Sequence, residues 1–98
     1  MKNFESVFIA KSTITDEELE AIIEKIKIII TADKGTIQKV EKIGVKKLAY
    51  EIKKNKEGLY VVIEFTTEPE KIAELERFYR LNEMLIKFIT IEKEDESK

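Results

Sequence analysis

Lysine is the residue type in this chain whose number and spacing could support binding chemistry. Eight lysines fall between Lys34 and Lys56, against the two acids Glu41 and Glu51, so this stretch carries a net charge of +6. The whole chain of 98 residues has a net charge of -2, so the remaining residues sum to -8. An ammonium group neutralises a phosphate without a fixed geometry, and each such contact releases counterions. The charge asymmetry therefore indicates a phosphate-binding arm in an otherwise acidic protein.

A second interpretation of the same lysines stays open. Edge strands are often protected by lysine from pairing with other chains. The run would then be a solvated hairpin that keeps the protein soluble and binds nothing.

The composition excludes most catalytic chemistry. The chain has no cysteine and no histidine, which removes thiolate nucleophiles, imidazole bases and the usual zinc ligands. Its three glycines provide no phosphate-cradling loop. The carboxylates of Glu20, Glu24, Glu74 and Glu76 are expected on outer helix faces, without a concave site that would raise a pKa. We expect no enzyme activity, no cofactor, no metal and no small-molecule substrate.

The length and the apolar pattern predict one domain over residues 1–93, followed by a charged and disordered tail over residues 94–98. The first residues have no cleavage site typical of a signal peptide, and no apolar stretch reaches the roughly 18 residues of a membrane span. We expect a cytoplasmic protein that does not contact membranes.

Two stretches have the signals of helices. The first begins at Thr15, where Glu18 completes a capping box, and ends near Asp33, with Gly35 as its cap. The second has Pro69 in its first turn and ends at Asn82. Thr67 and Glu70 are predicted to form its capping box.

The remaining segments alternate as strands do, over residues 2–10, 36–52, 59–67 and 84–92. A bulge is expected at Gly44, where the alternation of the second strand slips. Residues 53–57 are expected to form the hairpin loop.

The order β-α-β-β-α-β predicts an α+β, ferredoxin-like split βαβ fold: a four-stranded antiparallel sheet with two helices on one face. No element remains to cover the other face, which we call the open face. If the hairpin pairs Tyr50 with Tyr60, then Leu48, Tyr50, Tyr60 and Val62 share this open face and form a partner surface. Negative charge is expected on the helical side.

An RNA-recognition motif of the same topology carries stacking aromatics at the position of residues 57–62. Only Gly58 and Val62 fit that signature, because the aromatic positions hold Leu59 and Val61. Base stacking on this strand is therefore not expected.

Three motifs resemble one known family. The stretch Gly44-Val45-Lys46-Lys47-Leu48-Ala49-Tyr50, the hairpin end Glu57-Gly58, and residues 75–83 (LERFYRLNE) occur in the order and spacing of the bacterial small-subunit ribosomal protein S six family. The resemblance covers nearly the whole chain, from Phe4 to about Glu92. It implies the same split βαβ fold and a structural role.

The resemblance also implies partners. Members of this family bind small-subunit (16S) ribosomal RNA together with ribosomal protein S eighteen, and the resemblance implies a heterodimer that uses the open face. Lys46 and Lys47 occupy the family's basic positions, Arg80 and Lys87 match two others, and Glu51 stands where a proline is common. Together with the lysine run, this predicts RNA contacts at Lys2, Lys46, Lys47, Lys53, Lys54, Lys56, Arg80 and Lys87.

Two functions from different classes follow. The first is a structural constituent of the small ribosomal subunit, located with ribosomes in the cytoplasm. The alternative is a regulatory or oligomerising module of the same fold that does not bind RNA. Salt separates them, because RNA binding weakens steeply as salt rises whereas apolar self-association does not.

Overall fold

The computed structural model describes residues 1–93, so the prediction of a disordered tail over residues 94–98 lies outside the described residues. Six elements follow one another in the predicted order. They are β1 (Lys2–Lys11), α1 (Asp16–Thr31), β2 (Thr36–Ile52), β3 (Asn55–Thr67), α2 (Glu70–Leu81) and β4 (Leu85–Lys93).

The four strands form one antiparallel sheet in the order β2-β3-β1-β4. The first and third strands are therefore central, as predicted. Phe8 of β1 lies opposite Val61 of β3 and opposite Phe88 of β4. Because opposite residues in an antiparallel sheet point to the same side, these pairs fix which side chains share a face.

Both helices cover one face of the sheet and bury a single core against it. The stripe of leucine and isoleucine along α1 meets the inward residues of β1 and β3, and each such side chain contributes about 1.5–3 kcal/mol on burial. The largest side chains with less than 2% exposure are Phe8, Ile23, Ile26, Ile30, Ile63, Phe65, Leu75 and Tyr79. This burial offsets the weak helix propensity of the branched residues of α1.

The start of α1 has the predicted geometry, and its end differs from the prediction. Thr15 and Glu18 form the capping box, with nitrogen-to-oxygen distances of 2.9 and 3.1 Å. The residue with positive φ after the helix is Lys34 (69°), so the prediction that Gly35 caps the helix is wrong. Gly35 is needed for another reason, because a Cβ there would lie 2.1 Å from the carbonyl oxygen of Ile30.

The predicted capping box of α2 is also wrong. Thr67 is fully buried at the end of β3, where its hydroxyl donates to the carbonyl of Ile30 over 3.5 Å. Pro69 occupies the N-cap position without a side-chain hydrogen bond. Thr67 stays in β3 and does not cap α2 because its side chain points to the covered face of the sheet, beside Phe65. Asn82 ends the helix, as predicted.

Candidate nucleic-acid interface

No helix of the described residues 1–93 covers the second sheet face, which is apolar at its centre. The register places Val7 opposite Val62 and Ile9 opposite Tyr60, and β4 adds Ile89 beside Val7. The depression between them has a volume of about 240 Å³ and is lined by Val7, Ile9, Tyr60, Lys87, Phe88 and Ile89. Continuous apolar surfaces of this kind are typical of sites where proteins bind partners.

The strand β2 departs from regular pairing next to Gly44. Lys42 pairs with Val61 while Gly44 pairs with Tyr60, so Ile43 is an extra residue in the strand. Gly44 takes a φ of 116°, which side chains disfavour. The predicted bulge at this glycine is therefore confirmed.

A larger irregularity lies further along the same strand. Lys47 pairs with Glu57 and Ile52 pairs with Asn55, so the residues 48–51 lie opposite Lys56 alone. The conditional pairing of Tyr50 with Tyr60 is therefore wrong. Short insertions of this kind bend a strand and increase its twist. Alternation along the sequence gave no signal for this bend.

The β2–β3 hairpin ends in a turn that is shorter than predicted. Lys53 and Lys54 form it alone, and both have positive φ values of 50° and 67°. Two such residues in succession are typical of the tight hairpin turn whose twist matches that of the strands. The Asn55 amide donates to the carbonyls of Ile52 and Lys53 over 3.2 and 2.9 Å. We call residues 46–57 the hairpin arm, because β1 stops pairing with β3 at Gly58.

The bend brings the hairpin arm back towards the open face. The phenol oxygen of Tyr50 lies 3.4 Å from Nζ of Lys87, which is on the opposite edge strand β4. The same Nζ lies 5.7 Å from the centre of the Tyr50 ring. Because the ammonium is much nearer to the hydroxyl than to the ring centre, it lies beyond the phenol oxygen, and the contact is a hydrogen bond from Lys87 to Tyr50. It joins a basic side chain of the open face to the hairpin arm.

Six of the eight predicted RNA-binding residues lie at one end of the molecule. Five of these belong to the hairpin arm, and Lys87 lies beside it. Arg80 lies in the last turn of α2, near the same end but on the helical side. Lys2 lies at the other end of β1. Nine residues, or about 30 Å, separate it from Lys11, at the end of the strand that lies next to the hairpin arm. The Nζ of Lys2 is 3.4 Å from a carboxylate oxygen of Glu92, so it is separate from the other seven.

Ion pairs divide the lysine run into two parts. Lys39 pairs with Glu41 at 3.5 Å, and Lys42 pairs with Glu20 of α1. The hydrogen bond and the charge of Lys42 lower the pKa of the Glu20 carboxyl. Within residues 1–93, no such pair involves the lysines of the hairpin arm, which are Lys46, Lys47, Lys53, Lys54 and Lys56.

The predicted partner residues lie in two places. Tyr60 and Val62 are half-buried on the open face of β3, whereas Leu48 and Tyr50 belong to the bend of the hairpin arm. Tyr50 is 64% exposed. The contact between Tyr50 and Lys87 connects the two places.

The charge prediction for the open face is wrong in part. The register places three carboxylates there, because Glu5 lies opposite Glu64, and Glu41 lies opposite Val62. Glu5 and Glu64 stand between buried residues of β1 and β3, so alternation points their side chains away from the core, and the register places Glu41 on the same face. One end of the open face is thus basic and the other contains acids.

The sequence reasoning missed the contribution of β4 to the open face. Ile89 and Ile91 are 57% and 51% exposed there, beside Val7 and Glu5 respectively. The signal was present, because Lys87, Ile89 and Ile91 alternate and so share a face.

The fold and this surface define a class: a ferredoxin-like domain with an open apolar face and a basic hairpin arm. Within residues 1–93, no group of three or more metal-ligating side chains is present, and no helix is long and apolar enough to cross a bilayer.

Comparisons with known proteins identify the family. The family profile described as ribosomal protein S6 matches residues 3–92. The small ribosomal subunit protein bS6 of Helicobacter pylori is 44% identical over 98 residues, covering 100% of this chain and 69% of the relative. That of Helicobacter acinonychis is 46% identical over 91 residues, covering 93% of this chain and 64% of the relative.

A solved structure agrees with these matches. The crystal structure of 30S ribosomal protein S6 from Thermotoga maritima superimposes with a TM-score of 0.85 at 42% identity, covering 94% of this chain and 87% of that one. The chain belongs to the ribosomal protein S6 family. Members are structural proteins of the ribosome, which confirms the expectation of a ribosome-associated, cytoplasmic protein that is not an enzyme.

Proposed function

We propose that the chain is a structural constituent of the small ribosomal subunit that binds 16S ribosomal RNA through its hairpin arm. In this proposal the open face binds ribosomal protein S eighteen, and the two proteins contact the RNA together. Family membership supports the ribosomal role. The RNA contacts of the hairpin arm and the binding of ribosomal protein S eighteen go beyond family membership and are proposed here.

The observation that carries the proposal is the placement of the arm lysines. Five lysines and two glutamates lie within residues 46–57, so the hairpin arm has a net charge of +3. Within residues 1–93 these lysines have no ion-pair partner, and Lys87 lies next to them. Lysine ammonium groups that are free of carboxylates bind phosphates with little reorganisation.

An acidic protein gains from a basic partner in this role. The chain as a whole carries -2, which opposes long-range attraction to RNA. A basic protein on the open face would add cationic side chains next to the hairpin arm and extend one continuous basic surface. The heterodimer then binds more phosphates than the chain alone.

The test is a titration of a central-domain fragment of 16S ribosomal RNA with the chain, with and without ribosomal protein S eighteen, over about 50–200 mM salt. We expect Lys46→Ala combined with Lys47→Ala to weaken binding and to flatten the logarithmic salt slope by roughly 1.4–1.8, because each phosphate contact contributes roughly 0.7–0.9. Folding should be nearly unchanged, since both side chains are exposed.

The matched control is Lys25→Ala combined with Lys27→Ala, which removes the same charge from the outer side of α1. This pair should leave the salt slope unchanged. An equal effect of both pairs would mean that net charge matters and the hairpin arm does not. Self-association that persists in high salt, without RNA binding, would favour the oligomerising module instead.

A further inference from the structure

We propose that the open face receives a segment of a basic protein whose arginine or lysine side chain lies against the Glu5 carboxylate, with apolar side chains on either side of it. This inference rests on the proposed function, because it specifies the chemistry of the partner that the same face binds. It is carried by the charges on the acidic half of the face.

Glu5 lies at the middle of that half with an unfavourable neighbour. It belongs to the central strand β1 and is half-buried. On one side it lies directly opposite Glu64 of β3, and on the other directly opposite Ile91 of β4. Like charges directly opposite one another destabilise a sheet. Lys93 compensates Glu64, which also lies directly opposite Lys39, so Glu5 is the member of this pair without a cation beside it.

The cations of the same face are already engaged elsewhere. Lys93 reaches across β1 to a carboxylate oxygen of Glu64 at 3.2 Å. Lys39 pairs with Glu41 at 3.5 Å. Within residues 1–93, no hydrogen bond or ion pair involves the Glu5 side chain. Lys87 pairs with Ile9, four residues along β1, which places it about 13 Å away.

The surroundings of Glu5 determine what can cover it. Val7, Val62 and Ile91 are apolar neighbours, so a docked partner would exclude water from the carboxylate. A buried carboxylate is costly unless a cation with hydrogen bonds compensates it. A guanidinium matches a carboxylate with two parallel hydrogen bonds, and a lysine ammonium provides a point charge.

The same charges disfavour the other occupants of this half of the face. RNA would bring phosphates towards the uncompensated carboxylate of Glu5 and towards Glu41 and Glu64, whose lysine partners are already engaged. A second copy of the chain, docked through the same face about a two-fold axis, would bring three more. A basic protein segment is the occupant whose charge complements the surface, and the unpaired carboxylate would reject partners without a cation.

The first test is the stability of the free chain. Because Glu5→Gln removes one of two opposed charges without changing shape, we expect its melting temperature to equal or exceed that of the unchanged protein. A clear fall would show that Glu5 stabilises the fold, and would overturn the inference. If Glu5 serves binding and not folding, Glu5→Gln should weaken partner binding while the melting temperature stays equal or rises.

The second test is affinity for purified ribosomal protein S eighteen. Glu5→Gln should weaken binding by roughly tenfold or more, and Glu5→Lys should weaken it further, because a buried cation left unpaired is costly. Glu24→Gln, on the outer side of α1, removes the same charge and should have no effect. Unchanged affinity of Glu5→Gln would overturn the inference.

Failure of the proposed function has a different signature. If the unchanged chain does not bind ribosomal protein S eighteen at all, the proposed partner is wrong, whatever the variants do. If it binds with the Glu5→Gln affinity unaltered, the partner is right and the basic contact is wrong. Self-association of the unchanged chain that Glu5→Gln strengthens would identify a second copy as the occupant, and would also overturn the inference.

Discussion

The hydroxyl of Ser6 in β1 lies 2.7 Å from the phenol oxygen of Tyr79 in α2, within the core. Thr90 of β4 donates to the same serine over 3.0 Å. Three elements that are distant in the sequence are thus joined by one chain of hydrogen-bonded side chains. Within residues 1–93 no buried side-chain nitrogen or oxygen lacks a partner. These hydrogen bonds tie α2 to the covered face of the sheet.

The first prediction concerns Tyr79. Burial raises the pKa of its phenol to about 12, against an ordinary value of 10.0. The native state therefore retains a proton that the unfolded chain loses, and the resulting stability is complete below about pH 10 and is lost as pH rises towards 12. The full effect is about 2–3 kcal/mol.

Tyr79→Phe tests this linkage. At neutral pH it should cost about 0.5–1.5 kcal/mol, because Ser6 keeps its bond from Thr90. Between about pH 10 and 12 the difference between the two proteins should shrink or reverse. Denaturant unfolding at several pH values measures it. A difference that stays constant across this range would contradict the buried phenol.

The second prediction compares two glycines. In Gly35→Ala the new Cβ would lie 2.1 Å from a backbone oxygen, so we expect a loss of about 3 kcal/mol or more in the free energy of unfolding. In Gly44→Ala nothing lies within 4 Å, but φ is 116°, so we expect a loss of about 1–3 kcal/mol from backbone strain. Urea unfolding measures both, and equal losses would contradict the distinction between clash and strain.

Most of the fold follows from the sequence because it rests on periodicity. Local sequence patterns and tertiary contacts favour the same structure in three places. These are the isoleucine stripe of α1, the capping box at Thr15 and the alternation of β1. The wrong predictions concern residues whose conformation is determined by contacts with residues distant in the sequence. Thr67 has the residue type of a cap, but its place beside Phe65 buries it, and no local pattern shows this.

The site was less predictable for the same reason. Lysine positions could be counted, but their ion pairs depend on which acids the fold brings near, such as Glu20 for Lys42. The position of Tyr50 depends on the bend of β2, where residues 48–51 lie opposite the single residue Lys56 of β3. Residues 48–51 contain no glycine or proline from which the bend could have been predicted.

The third prediction concerns Tyr50 and Lys87. If their hydrogen bond holds the hairpin arm against the open face, Tyr50→Leu and Lys87→Met should be coupled in the free energy of unfolding by about 0.5–1 kcal/mol. Tyr50→Phe should lose most of the coupling, because it removes the hydroxyl that accepts the hydrogen bond from Lys87. Effects of the single changes that add within about 0.3 kcal/mol would show that the contact contributes nothing.

The fourth prediction tests the open face itself. Tyr60 lies at its centre, opposite Ile9 and beside the depression, so Tyr60→Asp places a carboxylate where a partner must exclude water. We expect it to abolish binding of ribosomal protein S eighteen. The matched control is Ile28→Asp, which places the same group on α1 at a residue already 61% exposed, on the helical side. Thermal unfolding of both variants checks that they fold, and isothermal titration measures binding. Normal binding by a folded Tyr60→Asp protein would exclude the open face as the docking surface and would leave the hairpin arm alone as the site of assembly.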